Sequence, residues 1–294
     1  MKKIRNLFLA SLLAIALVAL VGCGEDAANE NNGVEEEEEK GTVSLGYVEW
    51  DSEVASTNVV KTVLEDEGYD VELISLGAAV MFTGMGEGDF DGMVAAWLPT
   101  THGEYFDAIK DNVEDLGPNL EGTAIGLVVP DYVDIDSIEE LNENADKFDN
   151  RIIGIEPGAG LMVATEEVIE EYELELDLID GTGATMAASL KDAIDNEEWV
   201  VVTGWTPHWK FSRWDLKYLD DSKLIYGEAE EINTIVRPDL KDDMPEVYSI
   251  LDNFYWSPDD MAEVMVEIEA GTKADVAARN WVDANQDTVS KWVE

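Results

Sequence analysis

Two tryptophans closing two apolar runs are the residues of this chain best suited to chemistry. Trp97 ends the run 92–97 and precedes Pro99; Trp205 ends the run 199–205 and precedes Pro207. The two indoles lie 108 residues apart, and the chain's two histidines, His102 and His208, follow them directly. An indole face attracts a cation through its quadrupole and asks no hydrogen bond of it. Several such faces around one cleft therefore suit a cation that has no N–H groups. Trp50, in the turn after the run 43–48, is a third candidate wall, and Trp209 is a reserve. The turn 156–162 has the opposite chemistry: Gly158, Ala159 and Gly160 open a predicted helix before Leu161 and Met162. Backbone N–H groups exposed by small residues at a helix start form an anion site. One side of the cleft thus fits a cation and the other a carboxylate, to which His102 is able to add a donor.

Other chemistries lack their residues. Two histidines without cysteines or a fixed short spacing do not make a metal site. The sequence contains no Gly-x-Ser-x-Gly elbow, no nucleophilic cysteine setting and no His-Glu-x-x-His. Chance carboxylate pairs carry no information among 66 acidic residues. Neither an enzyme nor a cofactor is expected. Trp199, Trp214, Trp256, Trp281 and Trp292 are assigned to packing, and His208 to structure.

The elements that position these turns repeat. Residues 42–97 read as strand, helix, strand, helix, strand, the first helix carrying Val54, Ala55, Val59, Val60, Val63 and Leu64 at helical spacing. The same order recurs from Arg151: strand 152–156, helix 161–172, strand 175–179, helix 185–196 and strand 199–205. Aligning Leu45 and Gly46 with Ile153 and Gly154 gives the offset of 108 again. Strands alternating with helices predict parallel sheets covered on both faces, hence an α/β protein of two lobes with a cleft between them. In such sheets ligands meet the carboxyl ends of the strands, where all four turns lie. A further strand follows each lobe, at 122–130 and 230–237, and each is expected to cross into the other lobe's sheet as a hinge. The tail is helical, with Ser257 and Pro258 as a capped helix start and Gly271 as a stop.

The beginning of the chain reads as an address. Lys2, Lys3 and Arg5 precede an apolar run at 7–21, about 15 residues, short of the roughly 20 that span a bilayer. The run ends in Leu20, Val21, Gly22 and Cys23, which resembles the lipobox of bacterial lipoproteins. Cys23 is the single cysteine, so acylation is expected rather than a disulfide. Residues 24–40 are polar and acidic and read as a tether. The expected organisation is a lipoprotein signal (1–22), acylated Cys23 with its tether (23–41), lobe one (42–122), lobe two (123–229), and a return strand with C-terminal helices on lobe one (230–294). The protein is then expected outside the cytoplasm, held to the membrane by lipid. A formal net charge of −48 offers nothing to nucleic acid. Its acids are spread over nearly every helix rather than gathered at the tryptophans. That distribution suits a surface adapted to high salt better than a trap for cations, since molar salt shortens the Debye length to roughly 3 Å.

The segments 46–58 around Trp50, 95–102 from Ala95 to His102, 158–162 and 203–209 from Thr203 to Trp209 together resemble the glycine betaine-binding proteins of bacterial ABC importers, of the Gram-positive lipoprotein type. The resemblance covers residues 42–294. It implies a two-lobed type II periplasmic-binding fold with two hinge strands, closing around its ligand. It implies a prism of Trp50, Trp97 and Trp205 around a trimethylammonium group. The ligand's carboxylate would be held by the amides of Gly160 and Leu161, with His102 assisting as in some relatives. The implied partners are glycine betaine or a related betaine and the importer's permease and ATPase, with the binding protein a monomer serving osmoprotection. Proline betaine, carnitine or choline as ligand, or service as the sensing subunit of a membrane signalling system, are the alternatives.

Overall fold

The computed structural model describes residues 40–294; the signal, Cys23 and nearly all of the tether fall in residues 1–39, outside the described residues. The first lobe starts with β1 (Thr42–Tyr47), whose Val43 and Leu45 are fully buried. Next comes α1 (Asp51–Asp66), which buries Ala55, Val59, Val60, Val63 and Leu64 at the predicted spacing. Burial of each of the larger side chains contributes about 1.5–3 kcal/mol. β2 (Asp70–Ser75), α2 (Ala78–Glu87) and β3 (Gly92–Leu98) complete the unit, with β1 parallel to both β2 and β3. Then α3 (Gly103–Ile109) leads into β4 (Glu114–Pro130).

Two 3₁₀ segments, Ile138–Glu140 and Asn142–Phe148, lead to the second unit. It comprises β5 (Arg151–Ile153), α4 (Gly160–Glu171), β6 (Asp177–Ile179), α5 (Gly183–Asn196) and β7 (Val202–Thr206), with β5 parallel to β6 and β7. Then follow α6 (Trp209–Arg213), β8 (Leu216–Tyr218) and β9 (Glu230–Val236). The strands run β2-β1-β3-β9-β4-β7-β5-β6, with β8 on β4. This is the two-lobed type II α/β arrangement, each lobe built on one copy of the repeat.

Both crossings occur. Ala124–Val128 of β4 pair with β7 of the second lobe, and β9 pairs with β3 of the first. The structure adds that β4 is one strand of 17 residues, whose first part pairs with β9 through three register shifts. Its start at Glu114 rather than at 122 was masked in sequence by Pro118, which lacks an N–H, and by Gly117 and Gly122 at positive φ. Other edges also move. The run 175–179 shortens to β6 because Leu174 still closes α4, its N–H bonded to the Ile169 carbonyl. Trp199 packs against Phe148 at 5.3 Å and lies before β7 rather than in it. The tail forms α7 (Leu240–Asp243), α8 (Pro245–Asn253), α9 (Pro258–Glu269), α10 (Ala274–Ala284) and α11 (Gln286–Val289). Helices α9 and α10 pack on α1. There Trp281 meets Trp256 edge-on at 5.5 Å and stacks on Trp292 at 5.8 Å. Among the described residues no helix is long and apolar enough to cross a membrane, and no cluster of three metal-ligating side chains occurs.

Candidate functional site

One cavity between the lobes is lined by Trp50, Trp97, His102, Gly160, Leu161 and Trp205, together with Thr101, Ile125, Ile155 and Ala159. All six residues singled out for the cleft therefore meet. The indoles are buried, at 8 % exposure for Trp50, 3 % for Trp97 and 5 % for Trp205.

Each wall is held by its own element. Trp97 sits near the end of β3, in register with Ile232 of β9; Trp205 sits in β7, in register with Ile125 of β4. Each repeated tryptophan thus lies in register with one of the crossing strands, β9 or β4. Cis peptide bonds follow at Leu98–Pro99 and Thr206–Pro207. Trp50 is the N-cap of α1. The turn before it is fixed by the fully buried carboxyl of Glu53, whose Oε2 accepts from the Val48 N–H at 2.7 Å. Burial pushes the Glu53 carboxyl up to about 8, so it is protonated at neutral pH. The Trp50 indole N–H donates across the cleft to Glu156 Oε2 at 3.1 Å.

Trp205 is braced by the second lobe. The His208 ring meets it edge-on at 4.5 Å, and Lys210 Nζ lies 4.6 Å from its ring centroid. Burial brings the Lys210 ammonium down to about 7, against the opposing pull of Asp51. His208 caps α6, its Nδ1 accepting from the Lys210 N–H at 3.1 Å, and its Nε2 lies 3.4 Å from Asp51 Oδ2. His208 is not among the residues that line the cavity. Trp209 does not line the cavity; its indole N–H donates to Asp51 Oδ1 at 3.1 Å. Burial raises the Asp51 carboxyl, but His208, Trp209 and Lys210 together outweigh it and hold Asp51 below the usual carboxylate range.

His102 closes the wall beside Trp50, stacked on it at 5.9 Å with 15° between the planes. Its Nδ1 accepts from the Trp97 N–H at 3.1 Å, so the neutral ring carries its hydrogen on Nε2. That atom is buried and has no partner among the described residues. Burial holds the imidazole neutral, bringing its pKa down to about 4 although the Ala95 carbonyl favours the charged form.

The opposite end of the cavity is polar through its backbone. Gly160 and Leu161 are the first residues of α4 behind the extended Ala159, and their N–H groups find no acceptor among the described residues. The first N–H groups of a helix have no intrahelical partner and carry its positive dipole end. Gly158 takes a φ of +84°, a conformation that favours glycine, and its carbonyl accepts from the Tyr105 hydroxyl of the first lobe at 2.7 Å. At Gly160 the lobes come so close that a Cβ would lie 1.9 Å from the Thr101 carbonyl oxygen. The cavity therefore brings three indoles together with unpaired backbone donors.

Sequence reasoning missed several supporting residues. Glu230, at the start of β9, accepts from the N–H groups of Thr100 and Thr101 at 2.6 and 2.7 Å, and also binds the Thr101 hydroxyl. It fixes the loop that carries His102. Asp51 and Glu156 hold indoles across the cleft. No periodicity marks such acids in a chain with 66 of them; Asp51, adjacent to Trp50, and Glu156, the first residue of the 156–162 turn, carried a positional hint, and Glu230 carried none.

The chain resembles known proteins over most of its length. The family described as the substrate binding domain of ABC-type glycine betaine transport systems matches residues 41–284. A glycine betaine/carnitine transport binding protein, GbuC of Listeria monocytogenes, is 44% identical over 174 residues. That match covers 58% of this chain and 56% of the relative, so the aligned stretch spans little more than half of the relative's length. Among solved structures, lactococcal OpuAC in its closed-liganded conformation complexed with glycine betaine is 43% identical, with a TM-score of 0.83 over 86% of this chain and 99% of that one. The glycine betaine/L-proline-binding protein ProX from Borrelia burgdorferi is 41% identical, with a TM-score of 0.83 over 86% and 97%. An ABC-transporter choline binding protein in complex with choline is 25% identical, with a TM-score of 0.80 over 85% and 91%. These relatives are substrate-binding proteins of transporters rather than enzymes.

Proposed function

We propose that this chain, which belongs to the family of substrate-binding domains of ABC-type glycine betaine transport systems, captures glycine betaine in an aromatic cage and delivers it to an ABC importer. Trp50, Trp97 and Trp205 surround the trimethylammonium group. The N–H groups of Gly160 and Leu161 hold the carboxylate, and His102 adds its Nε2–H. The observation that carries this reading is that one cavity is lined by three indoles and by unpaired backbone donors. A trimethylammonium group has no hydrogen to donate, so indole faces serve it better than carboxylates do. Three desolvated cation–π contacts at about 2 kcal/mol each supply on the order of 6 kcal/mol. With the carboxylate bonds, and after the costs of association, a net of about −8 kcal/mol corresponds to micromolar affinity. Choline has no carboxylate and leaves the Gly160 turn unused, which favours a betaine.

Ligand contacts from both lobes stabilise the closed form for the transporter to recognise. Acylated Cys23 anchors the protein outside the cell membrane, and osmoprotection is the physiological role. Genes for an importer permease and ATPase beside this one would support delivery, and a sensor kinase gene in their place would point to signalling. Calorimetry with glycine betaine up to millimolar concentration, at low and high salt, tests the ligand. Micromolar binding is expected, and the absence of binding under both conditions refutes the reading.

A further inference from the structure

Two hydrogen bonds cross the cleft at consecutive residues with opposite polarity. Trp50, from the first lobe, donates its indole N–H to Glu156 of the second at 3.1 Å. Asp51, the next residue, accepts the indole N–H of Trp209 from the second lobe, also at 3.1 Å. None of Asp51, Glu156 and Trp209 lines the cavity. Glu156 also opens the turn that runs into Gly160, its carbonyl accepting from the Ala159 N–H at 3.2 Å. A single residue therefore joins the cation wall at Trp50 to the anion turn.

We propose that Glu156 and Asp51 are positioning residues that form a reciprocal indole–carboxylate clasp, made only when the cleft is shut, which sets how long the ligand stays. This deepens the reading of the cavity as a betaine site and rests on it. With the lobes apart, all four groups are hydrated and the clasp contributes nothing. With the lobes shut, the Glu156 carboxylate fixes the plane of the Trp50 ring, and an indole hydrogen-bonded to an anion presents a more electron-rich face to a cation. Ligand entry precedes the clasp and ligand escape requires breaking it. Its loss therefore falls on dissociation, whereas entry through the open cleft proceeds as before.

The test is stopped-flow binding of glycine betaine to the wild-type protein, Glu156→Ala, Glu156→Gln and Trp209→Phe, with a melting curve of each ligand-free protein. Glu156→Ala is expected to speed dissociation about tenfold, the lower range for a hydrogen bond to a charged group that is partly exposed. Its association rate and ligand-free melting temperature stay at the wild-type values. Glu156→Gln keeps an acceptor and recovers most of the residence time. Trp209→Phe, which keeps a ring but deletes the second N–H, speeds dissociation in the same way. A Glu156→Ala dissociation rate within twofold of wild type overturns the clasp while leaving the betaine site standing. So does a ligand-free melting temperature that falls along with affinity, since a cleft bond absent from the open form cannot cause it. A wild-type protein that does not bind glycine betaine overturns the site reading and the clasp together.

Discussion

Gly160→Ala separates closure from the cage chemistry. The substitution keeps the Gly160 N–H and adds one methyl group to the first turn of α4, where alanine folds as well as glycine or better. That methyl would lie 1.9 Å from the Thr101 carbonyl oxygen and 2.8 Å from its carbon, whereas real Cβ contacts stay beyond 3.0 Å. Both obstructing atoms are backbone, in a loop pinned by Glu230, so neither swings aside as a side-chain tip would. The lobes must part by about 1 Å. The cleft bonds from Trp50 to Glu156, at 3.1 Å, and from Tyr105 to Gly158, at 2.7 Å, then stretch to near 4 Å and are lost. At about 1–2 kcal/mol each, their loss weakens binding by roughly 30- to 1000-fold. Titration calorimetry with glycine betaine reads the loss, and a ligand-free melting curve at or above that of wild type shows the fold intact. Affinity within threefold of wild type would refute the reasoning, because the methyl would then have found room between shut lobes.

Trp97→Ala and Trp205→Ala are each expected to weaken glycine betaine binding at least about tenfold, one cation–π contact apiece. Trp281→Ala lowers the melting temperature by emptying the cluster with Trp256 and Trp292 but leaves affinity unchanged; a Trp281→Ala protein that folds yet loses affinity would contradict the assignment. Burial pushes the Glu53 carboxyl from 4.5 up to about 8, so the folded protein keeps a proton that the unfolded chain releases. The stability that this group contributes is therefore complete below about pH 4.5 and is lost as pH rises to 8, by about 1.4 kcal/mol per unit. Glu53→Gln removes the loss: in urea melts its advantage over wild type grows across that window and levels off above pH 8, and a pH-independent difference would count against it. Burial pushes the His102 imidazole down to about 4, so its nitrogen resonances are expected to show a neutral ring with hydrogen on Nε2 from pH 8 to 5.5. An inflexion near 6.5 would mean that the ring is open to water.

The architecture was legible where period and punctuation agreed. The apolar stripe of α1 and the Ser257–Pro258 cap each lie in a single stretch of chain and became the expected element, and the 108-residue offset relates two such stretches, those of β3 and β7. The start of β4 was hidden because Pro118, Gly117 and Gly122 are strand breakers in isolation and become tolerable only where β9 accepts the bulges. Helices α3 and α6, of 7 and 5 residues, are too short for a periodic signal. At the site, the tryptophans and the glycine turn could be placed because each belongs to a repeated strand end. What fixes them could not. The meeting of Gly160 with Thr101, and of Glu156 with Trp50, joins residues 59 and 106 positions apart across a cleft, and it depends on how far the hinge strands let the lobes approach.

The pairing of a cation cage with an anion turn is tested most directly by calorimetry of three ligands against the same protein. Glycine betaine carries both ends, choline lacks the carboxylate and glycine lacks the methyl groups. Micromolar binding of glycine betaine, at least about a hundredfold tighter than either of the others, is the expected result, since each loses one end of the site. Choline binding as tightly as glycine betaine would contradict the role of the Gly160 turn, and glycine doing so would contradict the cage of Trp50, Trp97 and Trp205.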